Sequence, residues 1–186
     1  MEGRFRSMSN EPVGDVAAKS SGRSEPAKVA ELRQALRRLG GGVTIVATID
    51  DDGRPCGLMM TSVMSLSFDP PSMLLAINRS ASALPSLIER GRFSINLIGV
   101  GDEEMCSAFA ASDKGSRFAS ASWKVNGAGV PVYQDAIATL VCEIDDAQTF
   151  GTHVIIRGLV LTASCSEKTE GLVYLNGQFC RAQPRG

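Results

Sequence analysis

The sequence predicts a mainly β fold with peripheral helices, an antiparallel β-barrel with short helices at its edges. Three observations carry this expectation. Short apolar, β-branched runs such as Val43 to Ile49, Ile137 to Ile144 and Val154 to Ala163 recur along the chain. Turn chemistry separates the runs, as at Asp51-Asp52-Gly53, Asp69-Pro70-Pro71 and Asn176-Gly177. The alternation of strands with long helices that marks a βαβ domain is missing.

Taken in order, residues 1–27 are rich in Ser, Gly, Glu, Arg and Lys and poor in apolar side chains, which predicts a flexible tail. The remaining residues, 28–186, form one domain. Helical periodicity starts near Val29, with Leu32, Leu36 and Leu39 on one side, and Gly40-Gly41-Gly42 ends it. Val43 to Ile49 is a strand, and Cys56 to Ser67 reads as one further extended stretch, broken by Pro70 and Pro71. Ser72 to Asn78 is a third strand. Leu84 to Arg90 is a short helix closed by Gly91. Phe93, Ile95 and Leu97 alternate with Ser94, Asn96 and Ile98, which predicts a strand with one more apolar face. Asp102-Glu103-Glu104 opens a helix running to about Ala111, its acids near the positive end of the dipole. A polar loop with Lys114 and Arg117 follows, and Asn126-Gly127 and Gly129 to Pro131 are turns. Two long strands come next, then a tight hairpin joining Leu172–Leu175 to Gln178–Cys180.

Composition excludes several function classes. Lysine and arginine number 19 against 20 acids, a net charge of -1, so no overall attraction for nucleic acid or an anionic membrane is expected. No apolar run is long enough to span a bilayer and no signal-peptide stretch opens the chain, which predicts a cytoplasmic protein. The five cysteines, an odd number with no CxxC pair, fit a reducing compartment and no zinc motif. His153 is the single histidine, so a metal site built on two imidazoles is ruled out. GxSxG and P-loop patterns do not occur, and Gly99-Val100-Gly101 runs into acids rather than the third glycine of a dinucleotide fingerprint.

Residues 57–71, GLMMTSVMSLSFDPP, resemble the flavin-binding segment of the flavin reductase-like family, which includes the reductase components of 4-hydroxyphenylacetate, phenol and chlorophenol monooxygenases. Other motifs follow in the same order. Residues 35–48, ALRRLGGGVTIVAT, are similar to the family's opening helix and first strand, and residues 77–83, INRSASA, to its second flavin loop. Gly91 to Asn96 resembles its GRFxVN strand, Phe109-Ala110 its FAG region, Gly151-Thr152-His153 its G-[DT]-H, and Leu172-Val173-Tyr174 its closing strand. The resemblance covers about residues 31–182. It implies an FMN-binding split β-barrel, a homodimer with sites near the subunit interface, and a diffusible flavin, FMN or FAD, reduced by NADH or NADPH for a separate oxygenase component.

The resemblance marks Met59, Met60, Thr61, Ser62, Ser65, Leu66 and Ser67 as the segment whose hydroxyls and main-chain groups meet the flavin ring and phosphate. Asn78, Ser80, Ala81 and Ser82 belong to the second loop. There Ser82 is read as a helix cap, as a group facing a phosphate, or as both. Phe109, Lys114 and Arg117 are further candidates, the cations for phosphate. The family places the histidine matching His153 beside the flavin and nicotinamide, where it orients the ring rather than acting as an essential acid, since hydride transfer needs stacking and alignment. Departures are Met59 and Met60 where relatives often carry threonine and alanine, Thr61 where asparagine is common, and Phe179 where tyrosine is common. A flavin-binding electron carrier or store without reductase turnover is the alternative function.

Overall fold

The computed structural model describes residues 25–111 and 116–182. It divides into two units, residues 1–36 and 37–186. The first contains helix α1 (Glu25–Leu36), which begins with Pro26 in its first turn and continues in good helix formers. Residues 1–24 of the expected tail lie outside the described residues, and residues 25–27 are already helical. The helix ends three residues before Leu39, which lies in a bend.

The second unit is built around a seven-stranded antiparallel sheet. Its strands are β2 (Thr44–Ile49), β3 (Pro55–Met60), β4 (Val63–Phe68), β5 (Pro71–Asn78), β6 (Arg92–Leu97), β9 (Ala138–Phe150) and β10 (His153–Cys165), in the order β3-β2-β6-β9-β10-β5-β4. A second sheet joins β1 (Gly41–Gly42) to β11 (Leu172–Leu175) and β12 (Gln178–Arg181), and β7 (Trp123–Val125) pairs with β8 (Pro131–Tyr133). Helices α2 (Leu84–Arg90) and α3 (Glu103–Ala111) complete it. The fold is thus mainly β with few helices, as expected.

Packing explains the layering. Val46, Leu75, Ile77, Phe93, Ile95, Cys142 and Ile156 form one buried cluster, which Leu84 and Leu87 of α2 close. Val43, Ile45 and Ala47 point the other way, into a second cluster with Phe109, Trp123, Tyr133 and Leu172. Strand β2 is therefore buried on both faces, and its apolar run is continuous rather than alternating. Register shifts in the β9–β10 ladder, at Arg157/Gly158 and Val160/Thr162, bend the long hairpin.

One expectation is corrected and two are refined. The stretch from Cys56 to Ser67 is two strands, β3 and β4, broken at Thr61-Ser62 and lying at opposite ends of the strand order. Strand β6 has one more apolar face, as expected, and its other face is buried too: Ser94 and Asn96 are fully buried. Their hydrogen bonds are met inside, Asn96 Nδ2 donating to Ile45 O at 3.0 Å and the Tyr133 N–H donating to Asn96 Oδ1 at 2.9 Å. The turns expected at Asn126-Gly127 and Gly129 to Pro131 form the loop of a short β7–β8 hairpin.

Candidate active site

The site grows from strand β3, which ends the sheet order and pairs only on its β2 side. At Gly57 a side chain has no room, since a Cβ there would collide with the Val46 carbonyl and sit 3.0 Å from Cζ of Phe118. The missing side chain lets the Phe118 ring lie against the strand. Arg117, next in the chain, donates from Nη1 to Gly57 O at 3.4 Å, and its guanidinium lies 5.5 Å over the Phe109 ring centroid. Phe109 itself is only 3 % exposed, in the core. It bears on the site through the arginine it carries rather than by meeting a ligand.

Two openings lie at the two ends of β3. At its C-terminal end is a cleft of about 510 Å³, walled by Met59, Met60 and Thr61, by Ser107 and Ala110 of α3, and by Tyr174 and Phe179 of the β11–β12 hairpin. The strand end is held by Thr44 Oγ1, which donates to Met60 O at 2.8 Å. Tyr174 and Phe179 pack edge to face, centroids 5.5 Å apart, and give the cleft an aromatic wall. The hairpin turns at Asn176-Gly177, both at positive φ, and its Asn176 N–H donates to Arg37 O at 2.7 Å.

At the N-terminal end is a shallow recess lined by Cys56, Gly57, Ser82, Ala83 and Arg117. Of the two roles open to Ser82, capping is not observed: Ala83 is the N-cap of α2, and no side-chain cap bond forms. The Ser82 side chain borders the recess instead. From Gly57 to Thr61 an extended strand covers roughly 13 Å. An apolar cleft with hydroxyls at its mouth is thus joined along a strand edge to a recess bordered by a serine and an arginine.

The other expected residues fall elsewhere. Asn78, Ser80 and His153 gather where β5 meets β10, His153 standing opposite Asn78 in register. Asn78 Oδ1 accepts from the Ser80 N–H at 2.9 Å and from its hydroxyl at 2.8 Å, and the Thr152 hydroxyl lies 2.9 Å from His153 Nδ1. His153 is exposed. Ala81 packs against the core cluster under α2. Ser62 is in the link between β3 and β4, its carbonyl accepting from the Ala76 N–H at 3.1 Å. Ser65, Leu66 and Ser67 lie on β4, the other edge strand, and line neither opening. Lys114 lies outside the described residues. Reading by sequence missed Cys56, Gly57, Ser107, Ala110 and Tyr174 as lining groups. The aromatic at 174 within the closing strand motif was the available signal.

Beneath α3, burial raises the Asp102 pKa, opposed by the Tyr133 hydroxyl, which donates to its Oδ1 at 3.0 Å. Burial pushes Cys106 up to about 12, with the charges of Asp102 and Glu103 adding, and burial alone does the same to Cys142. These thiols are apolar packing groups. The cleft thus offers surfaces, hydroxyls and main-chain groups, the equipment for holding two planar rings together.

Residues 36–183 match the model of the flavin reductase-like domain. The chain is 35% identical over 150 residues to the FMN reductase (NADH) RutF of Agrobacterium fabrum (strain C58 / ATCC 33970), covering 80% of this chain and 86% of that one. It is 34% identical over 148 residues to a protein named "Probable flavin reductase" of Rhizobium meliloti (strain 1021), covering 80% of this chain and 47%, about half, of that relative's length. Among solved structures it is similar to BorF, the flavin reductase component of a bacterial two-component tryptophan halogenase, with a TM-score of 0.76, 27% identity, and coverage of 84% of this chain and 99% of that one. With the fold, the strand-edge site and these likenesses together, the chain belongs to the flavin reductase-like domain family.

Proposed function

We propose that this chain is an NAD(P)H-dependent flavin reductase that hands reduced FMN or FAD to a separate oxygenase component. The observation that carries the reading is the pairing of the apolar cleft at Met59–Thr61 with the Ser82–Arg117 recess at the other end of one edge strand. In the reaction, hydride passes from C4 of the nicotinamide to N5 of the flavin, and solvent supplies the one proton that completes the reduced flavin. The chain's own groups do the positioning. Met59, Met60 and Tyr174 present flat apolar surface that excludes water, Thr61 reads the ring edge, and Ser82 and Arg117 hold the phosphate. The family likeness gives His153 the role of orienting the nicotinamide or steadying the reduced ring, although within one chain it lies at the β5–β10 junction and lines neither opening.

The cleft at Met59–Thr61 lies open along the strand end, which suits a flavin that leaves after each turnover. Three further readings go with the proposal. A second copy of the chain covers edge strand β4, where Met64, Leu66 and Phe68 are exposed, Phe68 being 92 % exposed. The free cysteines suit the cytoplasm. Residues 28–186 suffice as the working domain.

The test is oxidation of NADH and NADPH, followed by nicotinamide absorbance, with purified protein and added FMN or FAD. Oxidation that depends on added flavin is the expected result. Flavin binding without oxidation by either nucleotide would overturn the reductase reading in favour of the carrier. Light scattering coupled to gel filtration checks the dimer, and a monomeric mass would sink it.

A further inference from the structure

The Ser82–Arg117 recess does not end at Ser82. Cys56 and Ser82 are also walls of a larger hollow, of about 490 Å³, lined by Asp50, Arg54, Ser86 and Phe118. That volume falls within the range of about 300–1,000 Å³ usual for small-molecule sites. An FMN bound with its phosphate in the recess would leave this space unused.

We propose that the hollow is an adenylate subsite, so that FAD is the flavin this chain reduces in preference to FMN. The inference rests on the reading above that places the flavin phosphate at Ser82 and Arg117. Each part of an adenylate has a partner of suitable chemistry. A second phosphate beyond the first meets Arg54, a surface arginine paired with Asp52 at 3.1 Å on the turn above the hollow. Ser86, one turn along α2 from Ser82, adds a hydroxyl. Phe118 offers an apolar wall to a purine, and its ring is fixed edge to face against Phe109 and Trp123 at 5.3 and 4.7 Å. Asp50 is a preorganised acceptor for ribose hydroxyls. Its Oδ1 accepts the Asp52 and Arg54 N–H groups at 3.0 and 2.8 Å, and Arg90 Nη2 donates to its carbonyl at 2.6 Å. These bonds fix the carboxylate while its second oxygen receives no hydrogen bond among the described residues.

The same carboxylate argues for a plain adenylate over one with an extra ribose phosphate, which it would repel. NADH also carries a plain adenylate, but only FAD joins an adenylate directly to the phosphate held in the adjoining recess. Covalent continuity makes the second group's binding effectively intramolecular.

The experiment compares FMN and FAD as substrates of the full chain with NADH, in the wild type and in Arg54→Glu and Ser86→Trp. We expect a KM for FAD about tenfold below that for FMN, a rise of about tenfold in the FAD value in either variant, and an FMN value changed by less than about twofold. Free 5′-AMP should compete with FAD and not with FMN. The FMN arm reports folding, and Arg54→Glu, at an exposed site, carries the test alone where Ser86→Trp fails that control. Equal KM values for the two flavins in the wild type would overturn the subsite. So would variants that raise the KM for NADH and leave both flavins unchanged, which would give the hollow to the nicotinamide dinucleotide. Should neither flavin support oxidation, the reductase reading fails separately. Flavin fluorescence titration then decides the subsite alone: tighter FAD binding, lost in Arg54→Glu, supports it, and equal affinities refute it.

Discussion

Gly41 and Thr61 approach so closely that a Cβ at position 41 would lie 2.8 Å from the Thr61 Cβ. The contact is with the root of the threonine side chain, which has no rotamer to retreat into, so backbone must move. Thr61 stands at the mouth of the cleft, and Gly41 pairs with Tyr174 on its far wall. Gly41→Ala should therefore push the two walls apart and lower kcat/KM for flavin by about tenfold, or ~1.4 kcal/mol. Thr61→Gly in the same chain removes the colliding atom. Steady-state kinetics of the double variant should recover part of the loss, a coupling that independent sites would lack.

His153 tests the claim that the chemistry needs alignment rather than an acid. It is exposed at the start of β10, tied to the neighbouring Thr152 hydroxyl. His153→Asn keeps a polar ring-edge partner but no titrating group. Its kcat/KM for NADH should fall by less than about tenfold, against the 10²–10⁴ typical of losing a general acid or base. A larger loss, with a pH profile that flattens, would give His153 a proton-transfer role.

What could be read from the sequence was what local chemistry determines. Leu84–Arg90 with Gly91 behind it, and the Asn176-Gly177 hairpin, sit where they were expected because their signals lie within a few residues. The break at Thr61-Ser62 has no glycine or proline to announce it. It exists because β3 and β4 serve opposite ends of the strand order. Ser94 and Asn96 mark the less apolar face of β6, but nothing local shows that it is buried, since their partners, Pro131 and Tyr133, lie 37 residues away. The site shows the same division. Met59 to Thr61 were visible as one continuous motif, whereas Tyr174 reaches the cleft only through a hairpin more than a hundred residues later. Asp145 to Phe150, which lengthen β9, are polar and exposed for the most part, so no periodicity marks them as strand.

Gly57 joins the fold to the site. Its Cβ position meets backbone on two residues of β2, Val46 O and Ala47 Cα, the latter at 3.1 Å, besides the Phe118 ring. Neither backbone group can turn aside. Gly57→Ala should destabilise by about 1–3 kcal/mol, the usual range for overpacking, seen as a fall in Tm of roughly 2–4 °C per kcal/mol in a chain of this size. Because Phe118 and Arg117 both rest on this strand, the KM for flavin should rise along with the loss of stability. An unchanged melting curve measured by calorimetry would mean that β3 sits farther from β2 than described.

Asp102 sets the sign of one pH effect. Burial raises its pKa above the ordinary 3.8, with Asp135 and Glu103 adding to the rise, while the Tyr133 hydrogen bond and the Lys168 charge oppose it. The fold therefore prefers the neutral acid. Stability from this group is fully present below pH 3.8 and is lost as pH rises through the raised folded value, so at neutral pH the carboxylate is a cost. Asp102→Asn is neutral throughout and still accepts the Tyr133 hydroxyl at Oδ1. The variant should be at least as stable as the wild type at neutral pH, with the gap closing as pH falls toward the ordinary carboxylate range. Denaturant midpoints across that range decide the matter. A wild type that is the more stable at neutral pH would show that the charged hydrogen bond from Tyr133 outweighs the burial.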